Sequence, residues 1–220
     1  MTNEPIIIQA LKGQITPSVP FWFMRQAGRY LPEYREVRGT TKGFLDLCFT
    51  PEKAAEVTLQ PLRRFHMDAA ILFSDILVIP YGLGVDVRFM EGEGPLVAVT
   101  DTAEKIAALD LSTVRKKLAP VAETVRLVRK QLPEGAALIG FAGAPWTVAC
   151  YMLQGKSGKE FQQARLFAAS EPVLMQQLID RLTTATIEYL LMQIEAGAQA
   201  IQIFDSWAGL LTPDEFATWV

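Results

Sequence analysis

Residues 136–142 read Ala-Ala-Leu-Ile-Gly-Phe-Ala, a continuous apolar run that follows Gly135 and precedes Gly143-Ala-Pro-Trp-Thr147. A short apolar run without alternation, bounded by glycine and proline, is typical of a strand buried on both faces. Before this run, apolar residues recur at spacings of four and three from Val114 to Leu132, which predicts an amphipathic helix. A helix that leads into a buried strand indicates an α/β fold with a parallel sheet.

The same alternation of apolar runs and helical patterns extends along the chain. Three further runs are interpreted as buried strands: Pro20–Met24, Asp68–Phe73 and Ala198–Phe204. A long helix is predicted from Pro172 up to Gly197, directly before the last of these strands. Val85–Phe89 and Leu96–Val99 flank a glycine-rich turn and predict a small hairpin.

Composition limits the class of protein. The chain has 220 residues, half of them hydrophobic, and a formal net charge of -3, so it can bury a large core and lacks the basic excess of a general nucleic-acid binder. No apolar run has the length of a membrane span, and residues 1–10 lack the features of a signal peptide. We therefore expect a cytoplasmic protein with one domain over residues 1–220, in which Cys48 and Cys150 are buried thiols.

The spacing of the elements bears on the size of the fold. Four strand and helix units are complete by Phe204, so a closed eight-stranded barrel built at this pace needs roughly twice the present length. Thr212-Pro-Asp-Glu215 predicts a helix start, but the chain ends at Val220. We therefore expect a truncated chain, and the family resemblance given below implies that it supplies about the first four units of a (β/α)8 barrel.

Arginines are concentrated just after the first predicted strand, at the edge where parallel α/β folds bind ligands. The four are Arg25, Arg29, Arg35 and Arg38. Each guanidinium group offers a planar fork of donors that fits a carboxylate or phosphate, so the cluster indicates a ligand with several such groups. Surface ion pairs with Glu33, Glu36 or Asp46 are an equally open interpretation.

Polar residues follow the other predicted strands as well. Asp75 comes directly after the second apolar run, where it is either a functional carboxylate or the cap of a turn. Gly140 and Gly143 allow the backbone to approach a ligand or a neighbouring strand, while Thr147 and Tyr151 would add hydroxyl donors. The glycine spacing matches no phosphate-binding loop.

Two common kinds of active site are poorly supported. Ser206 follows the fourth predicted strand, but His66 is the only histidine and lies at the other end of a strand, so a Ser-His-Asp triad is improbable. One histidine and two distant cysteines also give no zinc-ligand spacing.

The sequence resembles the uroporphyrinogen decarboxylase family. The resemblance is carried by four motifs in order: Pro20–Tyr30, which contains Met-Arg-Gln-Ala-Gly-Arg-Tyr, then Thr58–Arg64, Phe73–Leu77 and Gly140–Thr147. It implies a (β/α)8 barrel, usually a homodimer, that converts the four acetate arms of uroporphyrinogen to methyl groups and yields coproporphyrinogen without metal or organic cofactor.

The resemblance also implies roles for individual residues. It assigns catalysis to Asp75 and Arg25, with Asp75 facing the pyrrole nitrogens, and it implies the following substrate contacts: Arg25, Gln26, Ala27, Gly28, Arg29, Arg38, Asp75, Tyr151 and Ser206. The family's substrate-contacting histidine near its C-terminus has no counterpart here, which leaves the activity of this chain alone open. A corrinoid-linked methyltransferase of the same superfamily and a non-catalytic polycarboxylate-binding chain are the alternatives.

Overall fold

The structure, a computed structural model, describes residues 4–90 and 94–220. Its five strands are β1 (Ala69–Ile71), β2 (Val87–Met90), β3 (Gly94–Val97), β4 (Ala137–Gly143) and β5 (Ala200–Phe204). Its helices are α1 (Ile6–Leu11), α2 (Pro32–Gly39), α3 (Phe44–Cys48), α4 (Pro51–Phe65), α5 (Val78–Gly82), α6 (Ala103–Ala107), α7 (Val114–Gln131), α8 (Pro145–Gln154), α9 (Gln162–Ser170), α10 (Pro172–Ala196) and α11 (Pro213–Trp219).

Three strands form one sheet in the order β1, β4, β5. Strands β1 and β4 are parallel, with Ala69 opposite Ala137 and Ile71 opposite Ile139. Strand β5 runs the same way, because Gln199 N–H donates to Leu138 O and Ala144 N–H donates to Phe204 O. These strands confirm three of the apolar runs, and β4 is buried over its whole length as expected for a central parallel strand.

The first predicted strand is wrong, because Pro20–Met24 forms no strand. Phe21 alone pairs with the start of the sheet: its N–H donates to Asp68 Oδ2 at 2.8 Å and its carbonyl accepts from Asp68 N–H at 3.1 Å. Phe23 and Met24 are exposed, so this apolar run is not part of a buried strand.

Other local predictions are confirmed. Strands β2 and β3 are antiparallel, as the hairpin pattern predicts, and the turn residues 91–93 lie outside the described part of the chain. Helix α10 ends before Gly197, whose φ of +117° favours glycine. At α11, Thr212 and Glu215 form the reciprocal bonds of a capping box.

The chain divides into two compact units, and the prediction of a single domain stays a prediction. The first unit contains the described residues of Met1–Asp75 together with Ala119–Phe141 and Leu190–Gln202. One of its apolar clusters is formed by Leu31, Tyr34, Leu47 and Val57. The second unit contains Ile76–Leu118, Ala142–Tyr189 and Ile203–Val220, and it fully buries Trp146 and Phe161. Among the described helices, none is both long and apolar enough to cross a membrane.

Candidate functional site

The segment Arg25–Arg29 is fixed in the first unit by the side chain of Gln26. This amide is 2% exposed; its Nε2 donates to Ala69 O at 2.8 Å and to Met67 Sδ at 2.9 Å, and its Oε1 accepts from Ile71 N–H at 3.0 Å. The amide therefore fills the open edge of β1 as the backbone of a neighbouring strand would. This contact places the loop at the start of the sheet although Pro20–Met24 is no strand.

Three backbone carbonyls of the same loop accept hydrogen bonds from neighbouring residues. The Tyr30 hydroxyl donates to Gln26 O, Leu31 N–H donates to Gly28 O at 3.0 Å, and Arg35 Nη1 donates to Arg29 O at 2.6 Å. The N–H groups of Ala27, Gly28 and Arg29, in contrast, have no acceptor among the residues that the structure describes. The loop thus presents three successive backbone donors, which suit an anionic ligand.

Arg25 and Arg29 are exposed, and neither has an acidic side chain within salt-bridge distance in residues 4–90 and 94–220. Two of the three acids that could have paired with them are engaged elsewhere, and the third, Glu36, forms no ion pair within the described residues. Glu33 binds Arg64, with Oε1 2.6 Å from Nε, and Asp46 Oδ2 accepts from Lys42 N–H. The ion-pair interpretation is therefore wrong for Arg25 and Arg29.

Asp75 lies four residues beyond β1 and is partly buried. Burial raises the pKa of the Cys48 thiol well above its ordinary value; the Asp75 carboxylate raises it further, and the Arg38 guanidinium lowers it. Both charged groups are thus near the same thiol. Arg38 Nη1 donates to Thr41 Oγ1 at 2.8 Å, which fixes its position at the end of α2.

The chain that leads to Asp75 is held by neighbouring helices of the same unit. Thr58 Oγ1, on α4, accepts from Phe73 N–H at 3.0 Å. The Phe73 ring contacts the rings of Tyr34 on α2 and Phe44 on α3, each with centroids 5.8 Å apart. The first unit therefore contains seven of the predicted site residues: Arg25, Gln26, Ala27, Gly28, Arg29, Arg38 and Asp75.

The other two predicted residues, Tyr151 and Ser206, belong to the second unit. Tyr151 is partly buried on α8, and Ser206 is exposed in the turn after β5. Thr147, which was expected to add a hydroxyl donor, is fully buried, and its Oγ1 donates to Asp205 Oδ1 at 2.6 Å.

One glutamine of structural importance gave no local signal in the sequence. Gln193, on α10, binds both polar backbone groups of Phe141: its Oε1 accepts from the N–H, and its Nε2 donates to the carbonyl, each at 2.9 Å. A Cβ at Gly140 would lie 2.5 Å from Gln193 Oε1. Gly140 thus makes room for this side chain of α10, a third possibility beside the ligand and the neighbouring strand that the motif suggested.

The fold and the loop together define a class of protein, a parallel α/β protein with a loop that exposes guanidinium and amide donors. The family model described as uroporphyrinogen decarboxylase (URO-D) matches residues 2–220. The chain belongs to the uroporphyrinogen decarboxylase family.

Individual relatives agree with this assignment. The chain is 56% identical over 222 residues to the uroporphyrinogen decarboxylase of Granulibacter bethesdensis, and the match covers 99% of this chain and 64% of that protein. It is 53% identical over 219 residues to that of Rhodospirillum rubrum, covering 100% of this chain and 63% of the relative. The chain thus spans less than two thirds of the length of these curated relatives.

Among solved structures, a methyltransferase from Methanosarcina mazei matches with a TM-score of 0.77 and 22% sequence identity, over 97% of this chain and 62% of that one. At this identity the match shows the fold alone. The fold prediction, α/β of the (β/α)8 barrel family, is confirmed.

Proposed function

We propose that this chain binds uroporphyrinogen and takes part in the decarboxylation of its four acetate side chains to give coproporphyrinogen. One observation carries the proposal: Arg25 and Arg29 are exposed, have no acidic partner in the described residues, and lie on a loop that the Gln26 amide holds in place. The names of the relatives supply the substrate.

The donors of the loop fit the substrate's chemistry. Uroporphyrinogen carries acetate and propionate groups around its ring, and each carboxylate can take two hydrogen bonds from one guanidinium group. The three amide N–H groups of Ala27, Gly28 and Arg29 add donors between the two arginines. This arrangement supports assigning Arg25 to the reacting acetate and Arg29 to another carboxylate, with Arg38 as a further contact.

We assign to Asp75 the stabilisation of the cationic intermediate of the decarboxylation. A pyrrole acetate loses carbon dioxide when the ring carbon beside it is protonated, because the positively charged ring then accepts the electron pair of the breaking C–C bond. The resulting methylene group takes up a proton to become methyl, and the ring carbon releases one. A carboxylate fixed beside the pyrrole nitrogens stabilises the cationic intermediate. Arg25 positions the acetate, since an arginine is a poor general acid near neutral pH.

The remaining residues have supporting roles in the proposal. Tyr151 and Ser206 are proposed as further carboxylate contacts because the family resemblance implies this role for them. Both the oxygen and the nitrogen of the Gln26 amide are already hydrogen-bonded, to β1 and to Met67. We therefore assign Gln26 to holding the loop rather than to binding the substrate. We also propose that the protein is a homodimer in the cytoplasm. Light scattering of the purified chain measures the oligomeric state.

Anaerobic incubation with uroporphyrinogen, followed by chromatography of the products, tests the function. Partially and fully decarboxylated porphyrinogens are expected with the wild-type chain and not with Asp75→Asn. Saturable binding without products would support a polycarboxylate-binding protein, and neither binding nor products would contradict the proposal.

A further inference from the structure

Helix α8 and the turn after β5 are joined by one buried hydroxyl in the second unit. Thr147 Oγ1 donates to Asp205 Oδ1 at 2.6 Å and accepts from Trp207 N–H at 3.0 Å. These two partners lie on either side of Ser206 in the chain. A hydrogen bond to a carboxylate is stronger than one between neutral groups, so this link restrains the turn tightly.

A second link joins the same two elements through aromatic rings. The Phe161 ring lies 5.1 Å from that of Tyr151 and 4.7 Å from that of Trp207, measured between centroids. Phe161 is 1% exposed and has φ 43° and ψ 48°, a left-handed conformation that non-glycine residues rarely adopt. Such strain is retained where the surrounding structure needs the residue in that place.

We propose that Thr147 is a positioning residue that fixes the Ser206 hydroxyl relative to Tyr151. Thr147 and Tyr151 are four residues apart on α8 and therefore share a face of the helix. Thr147 has no exposed surface, so it acts through the turn and not by touching substrate. The inference rests on the proposed function, which makes Tyr151 and Ser206 substrate contacts.

Asp205 holds the other end of this link. Its Oδ1 binds Thr147, while its Oδ2 is buried and has no hydrogen-bond partner among the described residues. The carboxylate therefore depends on Thr147 for a charge-assisted bond. Removing the hydroxyl leaves a buried carboxylate poorly solvated, and the turn is expected to move to reach water.

Thr147→Val and Thr147→Ser separate the hydroxyl from the volume of the side chain. Valine has nearly the shape of threonine without the oxygen, and serine retains the oxygen. We expect Thr147→Val to raise the KM for uroporphyrinogen about fivefold, the value of one ordinary hydrogen bond, and Thr147→Ser to stay within about twofold of wild type. Equal effects of the two variants would overturn the proposal.

A double-mutant cycle distinguishes positioning from general stability. If Thr147 acts through Ser206, Thr147→Val has no further effect on KM in a Ser206→Ala chain. Full additivity of the two substitutions would mean that Thr147 is merely structural and would overturn the inference.

Amide hydrogen exchange tests the positioning without substrate. The Trp207 amide is expected to exchange at least about tenfold faster in Thr147→Val than in wild type or Thr147→Ser. Unchanged exchange would overturn the inference even if uroporphyrinogen is turned over. If the wild-type chain neither binds nor converts uroporphyrinogen, the proposed function fails, and exchange at Trp207 still decides whether Thr147 holds the turn.

Discussion

Two pairs of arginines in the first unit have opposite surroundings. On α4, Arg63 binds both oxygens of Glu56 at 2.7 and 2.8 Å, and Arg64 binds both oxygens of Glu33 at 2.6 and 3.0 Å. In the loop Arg25–Arg29, both terminal arginines are exposed and the described residues offer them no carboxylate.

The difference between the two pairs follows from the interactions that hold each segment in place. Regular helices place acidic and basic side chains at spacings where they meet, as Glu56 and Arg63 do on one helix. The loop is instead held by the Gln26 amide, by backbone hydrogen bonds and by Arg35, whose Nη1 donates to the backbone carbonyl of Arg29 and not to a carboxylate. Because its shape does not depend on its charges, its two guanidinium groups stay available for a ligand.

Replacing Asp75 with Asn should have the largest effect, since Asp75 is the acid that the proposal assigns to the substrate. Turnover of uroporphyrinogen is expected to fall by about 100-fold or more, because the amide cannot stabilise the pyrrole cation. Asp101→Asn is the matched control, because Asp101 binds Lys105 at the surface. Near-normal product formation by Asp75→Asn would exclude the assigned role.

Gln26→Leu tests whether a neutral anchor holds the loop. The substitution keeps most of the volume but leaves Ala69 O and Ile71 N–H without their partner, so we expect the free energy of unfolding to fall by about 2–4 kcal/mol. Urea denaturation followed by circular dichroism measures this change. Gln131→Leu, at an exposed position, serves as the control. Equal stability of the two variants would show that the anchor is unimportant.

Arg29→Lys and Arg64→Lys compare the two pairs directly. Lysine keeps the charge and loses the planar fork, so Arg29→Lys should weaken binding of uroporphyrinogen about tenfold, or about 1.4 kcal/mol. Arg64→Lys should leave binding unchanged, because Arg64 is engaged with Glu33. Titration calorimetry under anaerobic conditions measures both affinities. The comparison fails if the two variants bind alike.

The smallest expected effect concerns the stability of the protein at low pH, to which the pairs of Arg63 with Glu56 and Arg64 with Glu33 contribute. The hydrogen bond from Arg63 lowers the pKa of Glu56, and that from Arg64 lowers the pKa of Glu33. Since the native pKa values are depressed, their stabilising contribution is complete above the ordinary glutamate pKa of about 4.3 and is lost as pH falls through the native values.

Glu56→Gln should therefore reduce the loss of stability on acidification, by at most about 1 kcal/mol for such an exposed pair. Urea denaturation of wild type and variant at neutral pH and below about pH 4 gives the comparison. An unchanged dependence on pH would mean that this pair contributes nothing to folding.

Much of the fold could be predicted from local patterns. Three apolar runs correspond to β1, β4 and β5, and the hairpin pattern corresponds to β2 and β3, because burial leaves local traces in the sequence. Pro20–Met24 shows the limit of this reasoning. An apolar run with exposed side chains has the same residue types as a buried strand. Only the tertiary contacts of the run distinguish the two.

The site was predicted in part for the same reason. Residue types and motifs located the arginines and Asp75, but the sequence left open whether the arginines pair with acids. The contacts that decide this question are long-range: Gln26 binds residues more than 40 positions away, and Thr147 binds Asp205 58 positions away. No local pattern reports such contacts, so the roles of Gln26 and Thr147 required the structure.

The most direct test of the account is a binding titration of the 220-residue chain with uroporphyrinogen under anaerobic conditions. Two double variants remove the same charge: Arg25→Ala/Arg29→Ala and Arg63→Ala/Arg64→Ala. The account predicts an affinity at least about 50-fold lower for the loop variant, since hydrogen bonds to charged groups are worth about 1.5–3 kcal/mol each, and a change below about twofold for the helix variant. Equal losses in both variants, or none in the loop variant, would contradict it.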